Sequence, residues 1–222
     1  YKGGQGMLDI REVMLLNVDQ LYGIEIEEFP ARIAEVAMWL IDHQMNMLVS
    51  NEFGQYFVRL PLQKAANIVH GNALRIEWKS VVPKEKISYI LGNPPFIGKQ
   101  LRSEQQKKDM AHVFSSVKNH AVLDYVCAWY YKAGEFIKGT TIEVAFVSTS
   151  SIVQGEQVST LNRDVYKQFN LQINFAHNTF KWGNESSKNA AVHVVIVGFA
   201  SFNRKRKTLF TYQDVNSDPH ES

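Results

Sequence analysis

The segment Ile87–Phe96, with the sequence ISYILGNPPF, decides how this chain is interpreted. Its first five residues, Ile87–Leu91, are mostly apolar and predict a short buried strand. The loop that follows, Asn93–Phe96, contains two consecutive prolines, which fix φ and remove two backbone donors. We therefore expect a stiff, extended loop directly after a strand, where α/β folds place their ligand sites.

The tetrapeptide Asn93-Pro94-Pro95-Phe96 offers two neighbouring hydrogen-bond acceptors, the Asn93 amide oxygen and the Pro94 carbonyl oxygen. The substrate that matches them is an –NH₂ group, because both of its hydrogens need an acceptor. Binding through both hydrogens draws the nitrogen lone pair out of conjugation and directs it at an electrophile. Phe96 supplies a flat face for a nucleobase, and such stacking is worth roughly 1–3 kcal/mol. The alternative is a Pro-Pro turn capped by Asn93, with Phe96 filling the core.

Short apolar runs alternate with helical stretches along the chain, which predicts an α/β fold. We expect a mostly parallel sheet with helices on both faces and an antiparallel C-terminal hairpin. The predicted strands are Leu21–Ile26, Asn67–His70, Ile87–Leu91, Ile142–Val147, Leu171–Phe175, Ala190–Ala200 and Thr208–Tyr212, the last two joined by a basic turn. The predicted helices begin near Pro30 and cover Leu101–Lys118, Val122–Ile137 and Val158–Phe169.

The composition, 45% hydrophobic and 21% charged, is ordinary for a globular protein. A length of 222 residues suffices for one domain, or at most one domain plus an appendage. A net charge of +2 is too small to indicate a nucleic-acid binder by electrostatics alone. Cys127 is the single cysteine, so no internal disulfide forms, and we expect a cytoplasmic location. The sequence contains no signal peptide, no membrane-spanning run and no metal-ligand spacing among its seven histidines.

The tetrapeptide Asn93–Phe96 resembles the (Asp/Asn/Ser)-Pro-Pro-aromatic motif of the class I amino-methyltransferases. In that superfamily the motif serves adenine N6, cytosine N4, some ribosomal guanines and a protein glutamine, and the Asn-Pro-Pro-Phe form is typical of adenine enzymes. Further motifs resemble those of fused bacterial restriction–modification enzymes of MmeI type, in the same order. These are Tyr22–Ala34 with Trp39–Asn46 (second motif), Ile68–Leu74 (third), Val122–Val126 (fifth), and Thr179–Glu185 with Ala190–Phe199 (eighth).

This resemblance implies S-adenosylmethionine as the cofactor. It assigns the ribose hydroxyls to Glu25, a packing contact with the cofactor adenine to Ile26, and the adenine amino group to Asn72. Ala73 and Leu74 complete the implied cofactor site. The alternatives are that Glu25 is a solvated acid in an acidic run, and that Asn72 is a turn residue after Gly71.

The resemblance also implies that the substrate is duplex DNA with a flipped adenine, held between Phe96 and Phe180. Trp182 is the weaker candidate for the second ring, and both Phe180 and Trp182 are alternatively core aromatics. The implied reaction is a direct displacement, without a covalent enzyme intermediate or a metal. A ribosomal RNA methyltransferase shares the tetrapeptide, and a catalytically inactive DNA-binding scaffold is a further alternative.

We expect residues 1–222 to form a single methyltransferase catalytic domain that is incomplete at its N-terminus. The Gly-rich loop that holds the methionine end of the cofactor in this family has no counterpart, because no strand precedes Lys2–Gly6. The resemblance implies endonuclease and target-recognition regions elsewhere in the same polypeptide. The isolated fragment is therefore expected to bind S-adenosylmethionine weakly and to be inactive.

Overall fold

The computed structural model describes residues 16–54, 65–182, 192–213 and 218–221, apart from the side chains of Phe53 and Trp182. Three sequence features therefore lie outside the described residues: Lys2–Gly6, the Trp182 side chain and the part of the eighth motif at 183–191. The chain divides into two compact units, Tyr1–Val81 and Val82–Ser222, which are described separately below as unit 1 and unit 2.

Unit 1 contains two parallel strands, β1 (Tyr22–Glu25) and β2 (Asn67–His70), paired from Tyr22↔Asn67 to Glu25↔His70. Helix α1 (Glu28–Phe53) follows β1, and a short helix α2 (Trp78–Val81) follows β2. Pro30 lies in the first turn of α1, where its missing N–H costs no helical hydrogen bond. The predicted strand, its acidic end and the helix beginning near Pro30 are confirmed.

The apolar residues of α1 share one side of the helix, but they are exposed. The exposed residues are Phe29, Ile33, Val36, Leu40, Ile41, Met45 and Leu48, each with at least 46% of its surface accessible. The small Ala31 and the polar Asn46 and Ser50 are buried instead. The helical spacing of Ile33, Leu40 and Ile41 predicts one mostly apolar face on this helix, and in the structure these side chains are exposed.

Unit 2 is built on one six-stranded sheet with the order β3-β4-β6-β5-β7-β8. Its strands are β3 (Tyr89–Gly92), β4 (Glu143–Thr149), β5 (Gln172–Trp182), β6 (Val192–Ala200), β7 (Thr208–Thr211) and β8 (His220–Glu221). Its helices are α3 (Glu104–Val113), α4 (Cys127–Ile137) and α5 (Glu156–Leu161), and a π-helical turn, Asn162–Lys167, continues α5. Short 3₁₀ segments at Lys84–Lys86, His120–Val122 and Ser150–Val153 complete the unit.

The six-stranded sheet is mixed, so the expectation of a mostly parallel sheet is wrong for unit 2. β3 is parallel to β4 and β5 is parallel to β7, whereas the other three pairings are antiparallel. The predicted hairpin of β6 with β7 is also absent from the described sheet. Both edges of β6 are already hydrogen-bonded, to β4 and to β5, so β7 adds to the outer edge of β5. The antiparallel neighbours along the chain are β5 with β6 and β7 with β8.

The core of unit 2 lies where α4 packs against the sheet. Tyr130 of α4 is fully buried; its ring stacks on Phe199 and meets Phe146 edge to face, with a centroid distance of 5.3 Å to each. The Tyr130 hydroxyl and the Ser148 hydroxyl are hydrogen-bonded at 2.9 Å, so neither buried polar group lacks a partner. This core places rigid packing directly beneath the end of β3.

No helix in the described ranges combines the length and the apolarity needed to cross a membrane.

Candidate functional site

The tetrapeptide lies where the sequence predicts it, in an irregular segment immediately after β3. Asn93 and Pro95 are exposed, Pro94 is buried and Phe96 is half-buried. Within the described part of the chain, neither the Asn93 side chain nor the Pro94 carbonyl has a hydrogen-bond partner. Both acceptors of this proline-stiffened loop therefore lack an internal donor, and the exposed Asn93 side chain is open to an external one.

The start of this loop is fixed by the core. Gly92, the last residue of β3, is the register partner of Phe146 on β4. A β-carbon at position 92 would lie 3.0 Å from two carbons of the Phe146 ring and 3.8 Å from Cδ of Pro94. The ring thus occupies the space that any side chain at position 92 would need, and the backbone passes close to it just before Asn93.

Asn93 and Phe180 lie at the same edge of the sheet, because β3, β4 and β5 all run in the same direction. Val194 of β6 pairs with Thr149 of β4 on one side and with Phe180 of β5 on the other. Three strand spacings separate β3 from β5, or about 14 Å at the usual spacing. The structure therefore brings the two predicted residues to one edge, and their sandwich around a base stays a prediction.

Phe180 belongs to an aromatic cluster formed by Phe175, His177, Phe180, Phe210 and Tyr212. Its half-buried ring stacks on Tyr212 with centroids 5.1 Å apart. His177 stacks on Phe210 at 4.3 Å, and His177 Nδ1 lies 2.7 Å from the Tyr212 hydroxyl. The Phe180 ring is thus already engaged by Tyr212, and its stacking on a base stays a prediction.

In unit 1, Glu25 and Ile26 lie at the carboxyl end of β1. The half-buried Glu25 carboxylate accepts the Glu27 N–H through Oε1 at 3.1 Å, and no hydrogen bond to Oε2 occurs among the described residues. The Gly71 N–H donates to the Glu25 carbonyl at 2.7 Å, which ties the ends of β1 and β2 together. Ile26 is 56% exposed, so it offers an apolar surface beside the carboxylate.

Asn72 forms the turn that the alternative interpretation predicts. Its Oδ1 accepts the Leu74 N–H at 2.9 Å, and its backbone carbonyl accepts the N–H groups of Arg75 and Ile76. The Ala73 carbonyl accepts the Trp78 indole N–H at 2.9 Å. Leu74 has no exposed surface, so it stabilises the turn from inside, whereas Asn72 and Ala73 remain partly exposed.

These residues of unit 1 fit a nucleoside. A carboxylate with one oxygen available can accept from two ribose hydroxyls, and an exposed isoleucine can pack on a flat ring. The Asn72 amide carries both a carbonyl acceptor and N–H donors, which is the chemistry that the amino edge of a base requires. Because β1 and β2 are parallel and Glu25 pairs with His70, Asn72 lies beyond the same end of the two-stranded sheet.

Comparison with known proteins identifies the family of this chain. Residues 6–211 match the family model described as MmeI, DNA-methyltransferase domain. This chain belongs to the MmeI DNA-methyltransferase domain family. It is 44% identical over 200 residues to DNA methyltransferase A of Bacillus subtilis (strain 168), covering 88% of the chain and 22% of that relative.

A solved structure of the type IIL restriction–modification enzyme MmeI in complex with DNA resembles this MmeI-family domain with a TM-score of 0.92. The identity is 49%, over all of this chain and 30% of that chain. The type ISP enzyme LlaBIII bound to DNA has a TM-score of 0.51 at 13% identity, over 87% of this chain and 15% of its own, which shows a shared fold alone. The MmeI-family domain thus spans less than a third of the length of each of these three relatives.

The sequence analysis gave no role to Asp124, which is buried in this MmeI-family domain close to the tetrapeptide. Its carboxylate accepts the Lys99 N–H at 3.0 Å, the Ser151 hydroxyl at 2.6 Å and the Gln157 side-chain N–H at 2.9 Å. The sequence did contain a signal for this role, since Asp124 is flanked by apolar residues in Val122–Val126. An acid in such a segment is expected to be buried, and a buried carboxylate requires hydrogen-bond partners. Asp124 lines an open cleft of about 630 Å³, with Lys99, Leu101, Thr149, Ser151 and Gln157.

Cys127 and the basic turn at residues 203–207 are two further candidates for parts of the site. Burial raises the pKa of the Cys127 thiol well above its usual range, so it is not a thiolate nucleophile. Arg204 and Arg206 of the basic turn pair with Glu143 and Glu221 at the surface, which reduces the positive charge offered by this turn. The described residues contain no group of three or more His, Cys, Asp or Glu side chains able to hold a metal ion.

Proposed function

We propose that this protein is a site-specific DNA methyltransferase of a restriction–modification system, which transfers a methyl group from S-adenosylmethionine to adenine N6 in duplex DNA. Membership of the MmeI DNA-methyltransferase domain family supports the reaction class. The observation that carries the choice of an amino group is the pair of unpartnered acceptors on Asn93 and Pro94. A primary amino group supplies the two donors that this pair needs.

The residues of unit 2 would act by position and electrostatics. Asn93 Oδ1 and the Pro94 carbonyl would each accept one N6 hydrogen, which localises the lone pair on nitrogen. The prolines restrict the backbone that carries both acceptors, so little reorganisation would be needed for them to stabilise the positive charge that develops on nitrogen. Phe96 and Phe180 would stack on the flipped base.

The residues of unit 1 would hold the cofactor. Glu25 would accept from the ribose hydroxyls, Ile26 would pack on the cofactor adenine, and Asn72 with Ala73 would receive its amino edge, with Leu74 holding the turn. S-adenosylmethionine, when bound, would supply an electrophilic methyl carbon on its sulfonium. This proposed reaction requires neither a nucleophilic side chain nor a metal ion from the protein.

We also propose that residues 1–222 act as one catalytic domain of class I, Rossmann-like type within a larger cytoplasmic polypeptide. The chain covers 30% of the MmeI chain, which leaves room for endonuclease and target-recognition regions in the same polypeptide. The sequence specificity of methylation would then depend on base-edge contacts made outside these 222 residues.

The first test measures the methylated product. The natural full-length protein is incubated with methyl-labelled S-adenosylmethionine and mixed duplex DNA, and the digested nucleosides are analysed by mass. We expect N6-methyladenine, lost by about 100-fold or more in Asn93→Ala because a preorganised acceptor is removed. Asn203→Ala is the matched control, since Asn203 is an exposed asparagine outside the loop.

Other products contradict parts of the proposal. N4-methylcytosine would overturn the choice of adenine, and label in ribosomal RNA without label in DNA would favour the ribosomal alternative. DNA binding without any methyl transfer would identify an inactive scaffold.

A second test addresses the cofactor residues by isothermal titration of S-adenosylmethionine into the full-length protein. Glu25→Gln should weaken binding by about tenfold, because a hydrogen bond to a charged acceptor is worth roughly 1.5–3 kcal/mol. Glu28→Gln is the control, as an exposed acid at the start of α1. Equal affinity in both variants would show that Glu25 is only a solvated acid.

A further inference from the structure

Asp124 is the centre of a buried hydrogen-bond network in unit 2. Its two carboxylate oxygens accept three hydrogen bonds, from Lys99, Ser151 and Gln157. The Asp124 N–H in turn donates to Gln157 Oε1 at 3.0 Å, so Asp124 and Gln157 are joined by two hydrogen bonds. The partners lie 25 to 33 residues away along the chain, so the network joins three separate segments.

The polarity of this network is fixed by two backbone groups that can only donate. The Asp124 N–H requires an oxygen from Gln157, which turns the amide nitrogen of Gln157 toward the Asp124 carboxylate as a donor. The Lys99 N–H requires an acceptor at the other carboxylate oxygen. Position 124 must therefore present acceptors on both sides, which a carboxylate does and an amide cannot.

The network holds the segment that directly follows the tetrapeptide. Asp124 binds the Lys99 N–H, and the next residue, Tyr125, donates its N–H to the Ile97 carbonyl at 2.9 Å. The Ile97 N–H donates to the Pro95 carbonyl at 3.1 Å, which continues the chain of contacts into the tetrapeptide. Arg102 adds a further link, because its side chain donates to the carbonyls of both Lys99 and Ala121.

The loop Asn93–Phe96 is thus fixed at both ends by different means. The Phe146 ring confines the backbone at Gly92, before the loop, by close packing. After the loop, the segment Ile97–Lys99 is held by two hydrogen bonds: the Asp124 carboxylate accepts the Lys99 N–H, and the Tyr125 N–H donates to the Ile97 carbonyl. Without the second anchor, the loop would be confined only at Gly92 and by its proline rings, and its C-terminal end would be free to move.

We propose that Asp124, through its paired hydrogen bonds with Gln157, is a positioning residue that keeps the Asn93 and Pro94 acceptors in the geometry required for methyl transfer. This inference rests on the proposed function of the tetrapeptide. Asp124 does not act as a base, because both of its oxygens are engaged by protein donors.

The test exchanges the acid and the amide within the pair, in the full-length protein. Asp124→Asn sets an amide nitrogen against the Gln157 amide nitrogen, and Gln157→Glu sets two carboxylates together. The double variant Asp124→Asn/Gln157→Glu restores a donor–acceptor match: the new amide accepts from Lys99 and donates to the new carboxylate, which still accepts the backbone N–H of residue 124. The net charge of the pair is the same as in the wild type.

Each single variant should lower kcat between about 10- and 100-fold, because a small displacement of reacting groups is costly. The KM for S-adenosylmethionine should stay unchanged, since the proposed cofactor residues belong to unit 1. The double variant should recover kcat to within about threefold of the wild type. If the loop were still mispositioned, the double variant would keep a loss of about 10- to 100-fold in kcat. The control is Asn174→Asp, which disturbs a buried amide bonded to Phe202 and Arg204 elsewhere in unit 2 and should reduce stability without lowering kcat.

Hydrogen exchange of the peptide covering residues 95–102 provides a readout that does not depend on activity. The single variants should exchange faster in this peptide and the double variant should regain wild-type protection. Failure of the folded double variant to regain protection, or single variants with unchanged kcat and unchanged exchange, would overturn the proposal. If the wild type transfers no methyl group, the proposed function fails, and the exchange result alone decides whether the network holds the loop.

Discussion

The ring of Phe146 fills the space beside Gly92 so closely that a β-carbon there would lie 3.0 Å from two ring carbons. Phe146 is almost fully buried and contacts Tyr130 and Phe199 in the core of unit 2. Gly92 directly precedes Asn93. The conformation at the start of the tetrapeptide loop therefore depends on how the core packs, and not only on the prolines.

Substitution Gly92→Ala should damage the loop. The added methyl group must displace either the Phe146 ring or the backbone before Asn93, at a cost of about 1–3 kcal/mol in the free energy of unfolding. Methyl transfer should fall as well, because the loop moves. Gly98→Ala is the control on the other side of the loop, since a β-carbon there would lie 3.7 Å from Asp124, an ordinary contact. Chemical denaturation and the methylation assay measure both effects; equal behaviour of the two variants would contradict this view.

Gly198 of β6 should tolerate alanine even less well. A β-carbon at this position would lie within 2.4 Å of three atoms of the Phe175 ring, its partner on β5. Gly198→Ala should destabilise the protein by at least about 1–3 kcal/mol. The double variant Gly198→Ala/Phe175→Leu should be more stable than the sum of the single effects predicts, because the smaller side chain relieves the overlap. Denaturant titration of all three variants gives the coupling energy, and additive effects would rule out this direct overlap.

His177 should make stability depend on pH. Desolvation in the aromatic cluster lowers its pKa below the ordinary value, so the unfolded chain binds a proton more readily than the folded one. The stability that follows from this difference is present above about pH 6.5 and is lost as the pH falls toward the folded-state pKa. Denaturation midpoints between pH 7.5 and 5.5 should fall less steeply in His177→Gln than in the wild type. The exposed His112→Gln serves as the control, and identical slopes in all three proteins would contradict the prediction.

Cys127 should resist thiol reagents in the folded protein. It has no exposed surface, burial raises its thiol pKa, and its Sγ lies 3.7 Å from Gln157 Oε1. Labelling of the peptide that contains Cys127, followed by mass spectrometry, should be blocked in buffer and complete in denaturant. Cys127→Ala should retain methyl transfer, as no nucleophilic thiol is required. Rapid labelling of the folded protein would show that this part of the core opens readily.

Local patterns in the sequence predicted where β1 to β4 and the candidate loop lie. The predicted strand Leu171–Phe175, however, covers only the first part of β5, which runs on to Trp182. The run Asn67–His70 matches β2 in full, and the change from apolar residues to Gly92-Asn93-Pro94 marks the end of β3 correctly. In both cases a few consecutive residues are enough for the prediction, because their hydrophobicity and their allowed backbone angles determine the local structure. The placement of Asn93 at a strand end followed from this alone.

Features that depend on distant residues could not be predicted. The partner of β7 is set by β6, which has no free edge because it is bonded to β4 and β5. The apolar residues of α1 recur at helical spacing whether that side of the helix is exposed or buried, so the sequence pattern alone does not predict the exposure of this side. Asp124 and Gln157 are 33 residues apart, so nothing local indicates that they meet. Asn72 illustrates a third case, since its turn role and its proposed ligand role use the same oxygen.

The fixed polarity of the Asp124–Gln157 pair has a consequence for evolution within the family. Because two backbone N–H groups dictate which side must accept, neither position can exchange acid for amide by itself without a mismatched intermediate. Relatives should therefore show covariation at these two positions, with aspartate opposite glutamine or asparagine opposite glutamate, and a path between the two states should pass through a less active sequence or through loss of both side chains.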